Sequence, residues 1–431
     1  MMKPTRKVAG IAAVATIVVV TGGLAGCAPA SQGKEGGPVV LGMTASLVDQ
    51  FTAYADAYNA TDPAVPVKVV DLAEGSDIVQ SLVTKNLSND LPDIVFNYDS
   101  LNATLASKDL LADLSGRLEK GDLTSKTFLP QFLEQYAVDD EVTGLPVSAD
   151  TSMLFYNKDV FAATGVTELP SADWTWDDMY RVAAEITEKG KGQYYGLQSP
   201  AGQGSTGFVY FPMLQAYGAE VYDKDTGKTG IGSGKALDAW KTLLAPYTEG
   251  FGTPYEVSNT LTNYFDGGQA AMVIQARPGV NTYRESLKNW DVSSVPSQNG
   301  IPVIGGGSYG LSVTKKSQRQ DAAWAFLSWF YKTDGGMVPA QKNGVVPPTV
   351  DGIENGAWRD DDHPLPAHLI ATTESSARDA ILAPTLPVAM STSMNELLNN
   401  ALQEVVLNGK SVEEAYGAVE AELDKRLAAK G

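Results

Sequence analysis

Cysteine is nearly absent from this chain: Cys27 is the only one in 431 residues. That excludes an internal disulfide and any site built on paired thiolates. Histidine is almost as scarce. His363 and His368 lie in a stretch that also holds Pro364 and Pro366, and the prolines forbid the helical spacing that would put two imidazoles on one face. The pair reads as part of a solvated loop, and no metal site is expected. Basic residues are outnumbered, 32 Lys and Arg against 51 Asp and Glu, for a formal charge of −19. Such a chain is a poor partner for nucleic acid, whose affinity comes from cations meeting phosphates, and the charge reads as solubility. G-x-S-x-G, H-E-x-x-H and the Walker glycine–lysine loop are all missing. Paired-carboxylate chemistry leaves no local signature, because distant acids can meet in a cleft. No cofactor is called for.

Among what is present, hydrophobic residues make up 43% and aromatics 9%. That is enough to bury a sizeable core, and the length suits two or three domains. The N-terminus reads as an export signal: "MMKPTRK" carries Lys3, Arg6 and Lys7, and an apolar run from Val8 to Leu24 follows. Its end, Leu24-Ala25-Gly26-Cys27, resembles the lipobox of bacterial lipoproteins. That resemblance implies cleavage after residue 26 and a lipid on Cys27, anchoring the protein to the outer face of the cell membrane. The run is short for a spanning helix, and the small-residue stretch "APASQGKEGGP" reads as a flexible tether over 27–38. Without residues 1–26 the chain keeps 29 basic and 51 acidic residues, a charge of −22.

After the tether, elements alternate. "VVLGMTA" (39–45), "VPVKVVDL" (65–72) and "PDIVFNY" (92–98) read as strands. Between them, Leu47, Phe51, Tyr54, Ala55 and Tyr58 share one helix face behind a Ser46 cap, and Ile78, Leu82, Val83 and Leu87 share another behind Ser76 or Asp77. Strand–helix alternation at this spacing predicts an α/β fold with a mostly parallel sheet, and ligands then bind beyond the carboxyl ends of the strands. A second region, 150–300, alternates likewise. A helix is expected over 317–332 and a helical tail ends the chain, with 351–369 the least ordered stretch.

Several segments, in order, carry a family resemblance: "GLPVSADTSMLFYNKDVFAATGV" (144–166), "WTWDDMYRVAAEIT" (174–187), "FDGGQAAMVIQARP" (265–278) and "GGSYGLSVTKKSQRQDAAWAFLSWF" (306–330). With "GVVPP" and "LNGKSVEEA", they make the chain similar to family 1 extracellular solute-binding proteins, the maltose-binding-protein-like group of ABC importers. The resemblance implies two α/β lobes around a ligand cleft. The first takes 39–149, completed by 303–350; the second takes 150–302, completed by 351–431. Crossings fall near 148–151, near 304–308 and within 350–362. It implies a monomer, not an enzyme, that holds a carbohydrate, often an oligosaccharide, and meets an importer's membrane subunits.

Candidate ligand residues follow from topology and resemblance together. Asn97, Tyr98 and Asp99 end the third strand, and Ser46 follows the first. The resemblance puts a cleft carboxylate at Asp150 and aromatics at Phe208, Tyr210 and Phe211. Tyr309 stands beside the "GGG" of 305–307. Arg277 departs from the family pattern, which has an aromatic there. It fits either an acidic ligand or a salt bridge within the protein, so a non-sugar ligand (acidic, phosphorylated or amine) is the alternative, and a lipid-anchored glycan hydrolase a further one. The "GQGSTG" of 202–207 is a literal G-x-G-x-x-G, but it does not follow the domain's first strand, as a dinucleotide site requires. Its glycines read as a close passage past a ligand or a tight turn. Trp174 and Trp176 read as core, and Trp324 and Trp329 as structural.

Overall fold

A computed structural model describes residues 37–72, 77–202, 205–255, 263–332, 334–342, 344–359 and 365–429. Cys27, the export signal, Ser76, Gly204 and His363 lie outside the described residues. Strands Val39–Met43, Val67–Asp71 and Ile94–Tyr98 form one parallel group, with the first of them in the middle. Each leads toward a helix: Val48–Asn59, Asp77–Leu87 and Asp99–Ser107. Phe51, Tyr54, Ala55 and Tyr58 are all buried, as their spacing requires. Ser46 does not cap this helix. It belongs to a separate 3-10 turn, Ala45–Leu47, and Leu47 takes the capping position without a side-chain bond. Ile78 and Leu82 are buried, whereas Leu87, the last residue of its helix, is 79% exposed.

The third strand's other neighbour comes from far along the chain. Tyr309–Val313 pairs antiparallel with Ile94–Tyr98 on one side and with Leu145–Pro146 on the other. The helix Gln320–Phe330 then closes this lobe. Its Phe330 meets Phe51 at 6.1 Å and Tyr54 at 5.7 Å between ring centroids. A fully buried aromatic of this kind contributes roughly 1.5–3 kcal/mol over its exposed state.

The second sheet runs Trp290–Ser293, Asp150–Asn157, Ala270–Ala276, Tyr195–Gln198, with only the last pairing parallel. Helices cover both of its faces. Met272 and Ile274 join a core with Trp174, Trp176 and Trp240, while Val273 packs with Phe155, Phe265 and Tyr283. Alternation along this strand therefore does not separate inside from outside. The helix Trp176–Gly190 starts on a capping box, Thr175 with Asp178. The tail helices Val388–Val406 and Val412–Ala428 complete this core, Trp240 stacking on Tyr416 with centroids 4.3 Å apart. Part of the expected irregular stretch is ordered after all: Thr349 caps a helix at Val350–Asn355, and Trp358 is buried.

Two passages between the sheets run side by side. Gly306 and Gly307 pair antiparallel with Thr151 and Asp150. Just before them, a Cβ on Gly305 would stand 2.4 Å from the carbonyl oxygens of Gly207 and Phe208. Only glycine permits that approach.

Candidate functional site

The carboxyl end of the third strand delivers Asp99 to the first turn of its helix. The Asp99 carboxylate accepts from the backbone N–H of Ser100 and, at 2.7 Å, from that of Ser308, while the Asp99 N–H donates to the Ser308 carbonyl at 3.2 Å. Burial outweighs these bonds, and with a smaller push from Asp150 it raises the Asp99 carboxyl to about 6. Asp150 opens the strand on the other side of the Gly306–Gly307 passage and accepts from the Ser148 hydroxyl at 2.6 Å. Burial raises its pKa as well; Ser148 and Arg277 partly offset this.

In front of Asp99 lies a cleft of about 1030 Å³, open mouth included. Asp99, Ser100, Ala103 and Gln135 form the first-lobe wall, and Thr206, Gly207, Phe208 and Phe211 the facing wall. Gly306 and Gly307 lie between, and the segment Ala383–Leu386 closes the rim with Ser391, Met394 and Asn395 of the next helix. Among these described lining residues there is one carboxylate and no Lys, Arg or His.

Of the residues expected at the site, Asp99, Phe208 and Phe211 meet here. Tyr210 does not. Phe208 and Tyr210 lie on the π-helical turn Thr206–Tyr210 and Phe211 begins the α-helix that continues it; Phe208 and Phe211 line the cleft, whereas Tyr210 packs into the core. Tyr210 is 1% exposed, its ring edge lies on Trp240 at 5.0 Å, and its hydroxyl bonds the N–H and carbonyl of Gly202. It ties the glycine-rich loop to the core. Asn97 is fully buried beneath the cleft, its amide donating to Asn102 at 2.8 Å and Ser312 at 3.0 Å. Tyr98 and Tyr309 both pack on Phe96, the first edge-on and the second stacked at 5.9 Å. Neither they nor Asp150 line this cleft. Ser46 is exposed on its turn, 3.4 Å from the Thr44 hydroxyl.

Arg277 is engaged inside the protein. It is 5% exposed, donates to the Gly344 carbonyl, and stands 5.8 Å over the Trp358 ring. The sequence reading missed Gln135, the 383–386 segment, Met394 and Asn395. Gln135 donates to the Ala383 carbonyl at 3.1 Å. The available signal was the punctuation in "APTLPVAMS", where Pro387 sets the start of the helix Val388–Val406.

The described elements beside the glycine loop differ from those of a dinucleotide site. Asp223 accepts from the N–H of Asp225 and Thr226 in a turn rather than ending a strand, and Tyr195–Gln198 is an edge strand. His368 stands 3.1 Å from the buried Asp291 carboxylate, which also takes Lys158 at 3.0 Å. Among the described residues, no three His, Cys, Asp or Glu side chains gather as metal ligands.

The model of a family described as bacterial extracellular solute-binding protein matches residues 44–337. The chain is similar to a binding protein of Brucella abortus, 27% identical over 289 residues, which is 65% of this chain and 66%, just under two thirds, of that protein. It is also similar to the mannitol-binding protein of Pseudomonas aeruginosa, 25% identical over 68% of each chain. Among solved structures, the fold is similar to that of the cyclic alpha-maltosyl-1,6-maltose binding protein from Arthrobacter globiformis. The TM-score is 0.77 at 22% identity, covering 91% of this chain and 99% of that one.

Proposed function

This chain belongs to the bacterial extracellular solute-binding proteins, and on that footing we propose that it captures a neutral carbohydrate between its two lobes for an ABC importer. The observation that carries the reading is the polar inventory of the cleft: the Asp99 carboxylate among hydroxyls and amides, with no cation among the described lining residues. Sugar hydroxyls donate strongly to a carboxylate, and the C–H faces of a ring lie well against aromatics such as Phe208 and Phe211. An acidic or phosphorylated ligand would bring its charge against Asp99 with no cationic partner. The ligands for which two similar proteins are named, mannitol and a cyclic maltosyl-maltose, support the same class.

Capture works by differential affinity: a ligand touching both walls favours the closed arrangement over the open one. The protein acts as a monomer without catalysis. A lipid on Cys27 holds it at the outer face of the membrane. Among the described residues no helix is long and apolar enough to cross a membrane.

A second reading rests on the same carboxylate. An ammonium group would also pair with Asp99, so an amine ligand is the competitor. A thermal-shift screen of residues 39–431 against neutral mono- and oligosaccharides, polyols, uronic acids, phosphate esters and polyamines separates the classes, because any ligand of the native state raises the melting temperature. A shift with neutral sugars or polyols alone is the expected result. A shift only with polyamines makes the amine reading right, and a shift only with anions refutes both.

A further inference from the structure

We propose that Tyr136, which is not among the residues lining the cleft, is a positioning residue that seats the Asp99 carboxylate for its ligand. The inference deepens the carbohydrate reading above and rests on it. Tyr136 is fully buried, and its hydroxyl lies where the strands Ile94–Tyr98 and Tyr309–Val313 meet at their ends. It donates to the Ser308 carbonyl at 3.0 Å, with the Asn97 carbonyl at 3.3 Å. Ser308 is the residue that holds Asp99. Its N–H supplies the 2.7 Å bond to one carboxylate oxygen, and its carbonyl takes the Asp99 N–H at 3.2 Å. Tyr136 therefore reaches the carboxylate through one intervening residue.

The chain around the ring leaves room for it. A Cβ on Gly144 or on Gly310 would stand 2.6 Å from a ring carbon of Tyr136, closer than packed carbons come. Gly310 lies two residues after Ser308, so the ring rests on the same stretch of chain that its hydroxyl holds. The Asn97 amide beneath is itself fixed by Asn102 and Ser312, and Asn102 also accepts from the Thr143 hydroxyl at 3.0 Å. The hydroxyl thus works from a rigid floor. Above it, each Asp99 oxygen keeps a lone pair beyond the bonds from Ser308 and Ser100.

Burial, with Asp99 adding to it, raises the Tyr136 pKa well above its ordinary value, so the phenol keeps its proton and donates throughout the working pH range. The Ser308 carbonyl then has both acceptor sites occupied, one by Tyr136 and one by Asp99. Without the phenol, Asp99 is left to hold the residue that holds it. The Ser308 N–H favours the ionised carboxylate, so loosening it raises the Asp99 pKa further and leaves more of the protonated form to meet the ligand. Asp150 is the other charged group that acts on Asp99; Arg277 and Tyr309 bear on Asp150. All three remain when only the Tyr136 hydroxyl is removed.

The test compares wild type with Tyr136→Phe, which keeps the ring, and with Tyr331→Phe. Tyr331 is a second buried tyrosine of the same lobe, whose hydroxyl donates to the Pro146 carbonyl at 2.8 Å and touches neither Ser308 nor Asp99. Without ligand, carbon-13 NMR follows the Asp99 carboxyl, assigned by its absence from Asp99→Asn. With ligand, calorimetry measures affinity from pH 5 to 8 for mannitol and for malto-, cello-, xylo- and galacto-oligosaccharides. In Tyr136→Phe the Asp99 midpoint should move up by about one unit, part of what a hydrogen bond to a charged group contributes. Affinity should then stay within about twofold of wild type at pH 8 and fall about tenfold below it at pH 5. Tyr331→Phe should leave the midpoint in place. An unmoved midpoint in folded Tyr136→Phe, an equal shift in Tyr331→Phe, or an affinity loss of the same size at pH 5 and pH 8 overturns the positioning role and leaves the carbohydrate reading standing. Absence of binding across all these sugars overturns that reading instead, and the ligand-free titration still decides whether Tyr136 seats Asp99.

Discussion

Acid should release the ligand, and Asp99 should set where. Its carboxyl is raised from 3.8 to about 6, chiefly by burial, and only the ionised form accepts from ligand hydroxyls with both oxygens. Apparent affinity then scales inversely with one plus the ratio of protonated to ionised Asp99. That ratio is about 0.1 at pH 7 and about 10 at pH 5, so binding weakens about tenfold between them, or ~1.4 kcal/mol. Near pH 6 capture should expel about half a proton per ligand, which calorimetry in buffers of different ionisation heat measures directly. Stability runs the other way. The native carboxyl holds its proton more tightly than the unfolded chain does, so its contribution is complete below about pH 4 and is lost as pH rises through 6, at most about 3 kcal/mol. Asp150, also raised by burial, is retained in Asp99→Asn, so the difference between the two proteins isolates Asp99. With a neutral ligand, a flat affinity from pH 5 to 7, or the same tenfold fall in Asp99→Asn, refutes the reasoning.

Gly305→Ala drives a methyl into the carbonyls of Gly207 and Phe208. It should cost about 1–3 kcal/mol by urea unfolding and displace Phe208 enough to weaken ligand as well; an unchanged urea midpoint would mean that the approach is looser than described. Arg277→Met removes the cation that lowers the Asp150 pKa. The variant should lose more stability at pH 7 than at pH 5, and equal losses in melting temperature at the two pH values would show that Asp150 does not feel Arg277.

The sequence exposed what depends on local periodicity. The three first strands, the buried stripe Phe51–Tyr58 and the helix with Trp176 are all set by neighbours a few residues apart, so their spacing is visible in the chain. Asp99 was legible for the same reason: a strand end and a helix start define it. Tyr210 was not, because the π-helical turn Thr206–Tyr210 departs from the α-helical spacing by which a sequence assigns side chains to faces. Arg277 was left between an acidic ligand and a salt bridge; the partners seen in the structure include Gly344 and Trp358, both more than sixty positions away. Gln135 carried no signal, and the prolines around 383–387 marked a helix start but not a place at the cleft. Their place at the rim comes from a long-range contact, Gln135 to Ala383, for which no local pattern exists.

The first sheet also bears on how the protein is made. Among the described residues Leu145–Pro146 has a single strand partner, Tyr309–Val313, which also covers the open side of Ile94–Tyr98. Contacts between segments this remote form slowly, because long loops must close before they are rewarded. A chain emerging N-terminus first holds its early strands with a hydrophobic edge uncovered while residues 150–300 are still being produced, an arrangement prone to aggregation. A fragment ending at residue 308 should therefore fail to fold by itself. The strands made first in this sheet thus wait for a segment more than two hundred residues later before their edge is covered.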